Sequence, residues 1–187
     1  MKKIFIFILL LILTGCTVVR IDTTNIDTII DVVLTKENKL FNRVGKGYKY
    51  YVPKGVMYVD TNELNEVLYS NGNYYYLYID AISYYNKKEM TLDEVKNPYY
   101  SRVISTEDGF KSNGMINITK KNGKYLIEFV YNYAKIEALV DKEDINYTIM
   151  NSAYILSTVK YNYDIIELML NDDYFSSREE RYELFDK

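Results

Sequence analysis

The chain has no His, no Trp and no Gln, and in 187 residues it holds one Cys, two Pro and eight Gly. Without His there is no imidazole to act as general base, as partner to a nucleophile or as metal ligand. One Cys excludes an internal disulfide and a Cys-rich metal site. Ala is scarce too, at four residues, and Arg at five against 18 Lys. What is abundant is Ile, Lys, Asn and Tyr, which together make 77 of the 187 residues, with Tyr alone contributing 22. These four residues have AT-rich codons, so part of the Tyr excess reflects coding composition. Hydrophobic residues at 48% and charged residues at 26% are ordinary for a globular chain. The length suits one domain with a proper core.

Lys2 and Lys3 precede ten apolar residues, Ile4 to Leu13, and then Leu13-Thr14-Gly15-Cys16. A basic start and a short apolar run ending at small residues read as a secretory signal, because a membrane span needs about 20 apolar residues. The tetrad Leu13-Thr14-Gly15-Cys16 resembles the lipobox of bacterial lipoproteins. That resemblance implies a diacylglyceryl lipid on the Cys16 thiol and cleavage just before it. Residues 1–15 would be the signal peptide, 16–23 the lipidated Cys with a short tether, and 24–187 a single domain. The implied location is the extracytoplasmic face of the cell membrane, with the lipid as anchor and no other cofactor. The chain from Cys16 onward carries 21 Lys and Arg against 26 Asp and Glu, a side-chain balance of −5. An acidic domain is repelled by anionic headgroups, which leaves attachment to the acyl chains. The same balance argues against nucleic acid, which needs clustered Lys or Arg.

Beyond the tether, Thr24 and Asp27 stand at capping-box spacing, with Asp in the place of the usual Glu. Ile26, Ile29, Ile30, Val33 and Leu34 follow at helical spacing, so a helix is expected over about 24–37. From Tyr48 the pattern changes to period two. Strands are expected at 48–52, 56–59, 65–69, 74–85, 99–105, 115–119, 124–133 and 135–140, with Asn71-Gly72 and Asn122-Gly123 as the best hairpin turns. Residues 86–98 suit a loop or short helix. A helix over 142–160 with Ile145, Ile149, Ala153, Leu156 and Val159 inward, a last strand at 164–170 and an exposed helix at 176–185 complete the reading. The class is α+β: a largely antiparallel sheet flanked by an N-terminal helix and one or two C-terminal helices. No internal repeat or low-complexity block is present.

The run Gly47-Tyr48-Lys49-Tyr50-Tyr51-Val52-Pro53-Lys54-Gly55-Val56 is similar to the opening hairpin of PsbP-like domains, with Val56 where that family has Trp. The resemblance spans about ten residues and implies an antiparallel sheet flanked by helices.

Few residues offer chemistry. Ser157-Thr158-Val159-Lys160 has Ser-x-x-Lys spacing, which an ordinary exposed helix end also produces, and the companion motifs of that enzyme class are missing. A carboxylate-dependent hydrolase would need two acids in one cleft, drawn from Glu137, Asp141, Glu143 and Asp144, or from Asp172 and Asp173. Asp141, Glu143 and Asp144 also suit a helix N-terminus. No oxygen-ligand calcium loop is complete; Asp60-Thr61-Asn62 begins one and stops. The Tyr-rich stretch remains, with 13 of the 22 Tyr between residues 48 and 100. In 74–85, Tyr75, Leu77 and Ile79 suit the core. Tyr74, Tyr76 and Tyr78 lie on the other face, which would present apolar bodies with polar tips to a sugar or a protein. The alternative is that helices cover both faces and β-propensity explains the rings. The reading that results is a non-enzymatic surface lipoprotein that binds an envelope protein or a peptide. Its rivals are a carbohydrate- or cell-wall-binding module using the Tyr face, and the carboxylate hydrolase.

Overall fold

The computed structural model describes residues 23–105 and 112–171. The elements in chain order are α1 (Ile26–Leu34), β1 (Arg43–Val44), β2 (Tyr48–Tyr50), β3 (Met57–Asn62), β4 (Asn65–Ser70), β5 (Asn73–Ile79), α2 (Ala81–Asn86), β6 (Tyr100–Ile104), β7 (Gly114–Lys121), β8 (Lys124–Tyr131), β9 (Ala134–Val140), a 3-10 turn at Lys142–Asp144, α3 (Ile145–Thr158), β10 (Lys160–Tyr161) and α4 (Tyr163–Asn171). The class is α+β. A seven-stranded sheet runs in the order β3-β4-β5-β9-β8-β7-β6, and a small sheet runs β1-β2-β10. Every strand pair is antiparallel.

The core lies between one face of the large sheet, helices α1 and α3, and the small sheet. Ile29, Ile30, Val33 and Leu34 of α1 meet Ile145, Ile149, Ala153 and Leu156 of α3, over Tyr75, Leu77, Ile116, Ile118, Ile127, Phe129 and Ile136 from the strands. Alternation places Tyr125, Ile127, Phe129 and Tyr131 of β8 inward, as their period-two spacing requires. The α1 cap is Asn25 rather than Thr24: its Oδ1 accepts from Asp27 N–H at 2.8 Å and Thr28 N–H at 3.3 Å. Asp27 is then free to bind elsewhere, and accepts from the Tyr100 hydroxyl at 2.6 Å.

The Asn71-Gly72 and Asn122-Gly123 turns form as expected, all four residues having positive φ. Three other expectations are corrected. The strand expected over 74–85 ends at Ile79, because the Asp80 side chain accepts from Ser83 N–H at 2.7 Å and caps α2. The strand expected at 164–170 is α4. Its Ile166 and Met169 are buried one helical turn apart, and Ile166 Cγ1 lies 3.1 Å from where a side chain on Gly47 would begin. Gly47 also has φ +82, so both space and backbone call for glycine there. Nor do β2 and β3 form a hairpin: Pro53-Lys54-Gly55 carries the chain from the small sheet into the large one. Residues 86–98 hold no long element after α2 ends, and the helix expected at 176–185 lies outside the described residues.

The turn between β8 and β9 is Asn132-Tyr133, with φ of 53 and 57 and no glycine. Tyr161 holds it, donating its hydroxyl to the carbonyls of Asn132 at 2.9 Å and Tyr133 at 2.6 Å. Asn132 Nδ2 donates to the Val159 carbonyl at 2.7 Å. Burial raises the Tyr161 phenol well above its ordinary range, so it remains a donor.

At Gly114 a Cβ would sit 2.4 Å from the Val130 carbonyl oxygen. That neighbour is backbone in a central strand and has little room to yield. Gly114→Ala is therefore expected to cost about 1–3 kcal/mol, read as a lower urea midpoint with an unchanged slope.

Candidate functional site

The face of the large sheet turned away from α1 and α3, which among the described residues carries no helix, holds Tyr69, Tyr74, Tyr76 and Tyr78. Register sets Tyr69 beside Tyr74, Val67 beside Tyr76, Tyr76 beside Glu137 and Tyr78 beside Lys135. Met57 continues the row on β3, opposite Tyr69. The Tyr69 and Tyr74 rings meet edge to face at 5.1 Å, and Tyr74 and Tyr76 are stacked at 6.5 Å and 29°. Tyr74 is 50% exposed and Met57 58%. The result is an open aromatic surface along the β3-β4-β5 side of the sheet.

Of the three tyrosines expected on this face, the structure exposes Tyr74, leaves Tyr76 half-buried and buries Tyr78. Tyr78 is enclosed because Lys135 Nζ lies 5.1 Å from its ring centre and Glu137 accepts from its hydroxyl at 3.4 Å. Burial, and then the Glu137 charge, hold the Tyr78 phenol above its ordinary range. Tyr78 is therefore withdrawn from the open surface, and Tyr69 and Met57 join it.

Toward the sheet centre the same face becomes polar. Glu128 on β8 sits directly opposite Glu137 on β9. Glu137 is buried and ion-paired with Lys135 Nζ at 2.6 Å. Burial first, and then the Glu137 charge, raise the Glu128 carboxyl above the usual carboxylate range. Residues 87–99 pass over this part, where the Asp93 carbonyl accepts from Asn117 Nδ2 at 3.3 Å. The Glu128–Glu137 pair follows from the Asn132-Tyr133 turn. Placing the strand end after Tyr133 hid it, and a turn centred between 132 and 133 would have set the two acids opposite each other.

No family model, curated protein or solved structure matches this chain. The lipoprotein and PsbP-like resemblances thus rest on the residues that carry them. Cys16 and the rest of the lipobox lie outside the described residues, as do Asp172 and Asp173. The four expected acids that are described, Glu137, Asp141, Glu143 and Asp144, each have a separate setting from one another. Glu137 pairs with Lys135 and Asp141 with Lys124 at 3.4 Å. Asp144 accepts from the side chains of Asn71 at 2.6 Å and Asn73 at 2.9 Å, fastening the β4–β5 turn to the start of α3. Glu143 is exposed. Ser157 donates its hydroxyl to the Tyr154 carbonyl at 3.1 Å, and Lys160 falls beyond the helix in β10. Among the described residues no three His, Cys, Asp or Glu come together to hold a metal ion, and no helix is long and apolar enough to cross a membrane.

A second cluster lies under the same side of the sheet, on the core face. Glu66 of β4 is 1% exposed. Its carboxylate accepts from Tyr48 Oη at 2.5 Å, Tyr50 Oη at 2.7 Å and Arg43 Nε at 2.5 Å. Arg43 also stacks 3.3 Å above the Tyr58 ring and donates to Thr61 Oγ1 at 3.1 Å. This cluster ties the small sheet to the large one and backs the open aromatic surface from behind.

Proposed function

We propose that the chain is a lipid-anchored protein of the extracytoplasmic membrane face that binds another envelope polypeptide, without catalysis, through the aromatic surface of Met57, Tyr69, Tyr74 and Tyr76. The Leu13-Thr14-Gly15-Cys16 tetrad supports the anchor. The carrying observation for binding is the contiguous, partly exposed ring row on the face that no helix covers among the described residues. Aromatic groups with apolar bodies and polar tips are the side chains that anchor protein interfaces. The lack of His and the separate structural settings of Glu137, Asp141, Glu143 and Asp144 support a non-enzymatic role.

One observation favours the carbohydrate reading: Tyr74 and Tyr76 are near-parallel, and rings so placed can receive a sugar face. The two readings are separated with Tyr74→Ser and Tyr76→Ser combined. A photocrosslinking residue at Tyr69 in intact cells is expected to give a discrete polypeptide adduct that the double variant loses. Retention on purified cell wall is expected to be the same in both proteins. A tenfold drop in wall retention, with no polypeptide adduct, would transfer the function to wall binding.

A further inference from the structure

β3 is an edge of the seven-stranded sheet, paired with β4 on one side and, among the described residues, with no strand on the other. All six of its residues are exposed. Sheet edges are ordinarily protected by Lys, by Pro or by a covering element, because their free N–H and carbonyl groups recruit other strands. β3 has neither Lys nor Pro. Its apolar residues Met57, Tyr58 and Val59 are 58%, 41% and 49% exposed. The opposite edge, β6, differs: Arg102 at its centre is ion-paired to Asp31 of α1 at 2.6 Å, and the Tyr100 hydroxyl reaches Asp27.

In an antiparallel ladder alternate residues turn their N–H away from the partner strand. The Thr61 N–H is satisfied locally, donating to Asp60 Oδ1 at 2.8 Å. That carboxylate oxygen stands in for a carbonyl oxygen of a neighbouring strand. The register slips between Tyr58 and Asp60, leaving Val59 as an extra residue that bends the edge.

We propose that β3 takes up an extended segment of another polypeptide as an eighth strand. Alternate apolar side chains of that segment would rest on Met57, Val59 and the Tyr69–Tyr74 rings. The proposal rests on the polypeptide-binding reading and specifies its mode. A second copy of this chain is a poorer guest. Antiparallel self-pairing over all six residues centres between Val59 and Asp60. It would bring two Asp60 carboxylates across the axis and set one bulge against another.

The test uses residues 16–187 with Cys16→Ser, since among the described residues the core begins at Ile26. The probe is a set of decapeptides selected against this protein from a random displayed library. Thr61→Pro deletes the outward N–H, and Val59→Lys puts a charge on the edge. Val103→Lys on β6 is the control. Selected peptides are expected to bind at least tenfold more weakly to each β3 variant and unchanged to the control. N-methylating the peptide backbone residue by residue should weaken binding at every second position, a signature that side-chain contacts alone do not produce. Should Thr61→Pro lower the thermal midpoint, Val59→Lys carries the test. If the peptides ignore both β3 changes and show no two-residue period, strand addition is overturned while polypeptide binding stands. If no peptide is selected, both fall. A concentration-dependent dimer that Val59→Lys dissolves would make the occupant a second copy and overturn the proposal.

Discussion

Changing Cys16 to Ala is expected to move the protein from the membrane fraction to the soluble fraction and to abolish labelling by a palmitate analogue. The size of the effect follows from the anchor's energetics. Each buried CH₂ contributes about 0.8 kcal/mol, so two acyl chains hold a protein where one gives only marginal binding. The chain from Cys16 has a side-chain balance of −5, which offers no general electrostatic attraction to anionic lipid in compensation. The fold should be indifferent to the change, because the core, among the described residues, draws on those from Ile26 onward. An unchanged thermal midpoint in the released protein would show that release is loss of anchoring and not misfolding. Continued labelling of the Ala variant would end the lipid-anchor proposal.

Glu66→Ala is expected to be the most damaging single change in the folded domain, costing about 3–5 kcal/mol by stranding a partly buried guanidinium beside two buried hydroxyls. Glu66→Gln keeps the acceptor oxygen and should cost less, about 1–3 kcal/mol. Denaturant midpoints of the two variants measure the difference, and equal losses would mean that the carboxylate charge both variants lack, rather than the shape Gln keeps, matters at this position. The same cluster sets a pH limit. Burial, and then Glu66, hold the Tyr48 phenol above its ordinary range, and burial does the same for Tyr50. In the unfolded chain these phenols ionise near about pH 10. Their contribution is complete below that pH. Above it, the unfolded chain releases protons that the fold retains, and stability falls by about 1.4 kcal/mol per pH unit for each of the two. Alkaline unfolding should therefore coincide with the appearance of their phenolate absorbance. Two buried phenols titrating near pH 10 in a still-folded protein would contradict this account.

The sequence reveals those parts of the fold whose causes are local. Asn71-Gly72 and Asn122-Gly123 announce their turns because Asn and Gly accept positive φ readily. The faces of α1, α3 and β8 follow from spacing alone. Where distant contacts decide, the pattern misleads. Tyr84 and Tyr85 extend an apparent strand, yet one capping bond from Asp80 turns the chain into α2. Ile165 to Leu170 suits strand or helix equally, and burial of Ile166 and Met169 against the glycine at 47 selects helix. At the candidate site, alternation separates Tyr74, Tyr76 and Tyr78 from the core set. It cannot show that Lys135 and Glu137, on β9 with three strands of chain between, would close around Tyr78. Glu66 escapes notice for a related reason. A charged residue at an inward position makes sense only once Arg43, Tyr48 and Tyr50 arrive from another sheet.

The Tyr161 clamp on the Asn132-Tyr133 turn bears on how the chain reaches this state. Synthesis delivers the N-terminus first, and a hairpin closed by Asn-Gly can form as soon as both its strands exist. The hairpin at the middle of the sheet has no such local help. Its two left-handed residues are secured by a hydroxyl 28 residues further on. The β4–β5 and β7–β8 hairpins can thus close from local sequence alone, whereas the β8–β9 turn gains its hydroxyl clamp only once Tyr161 has been made.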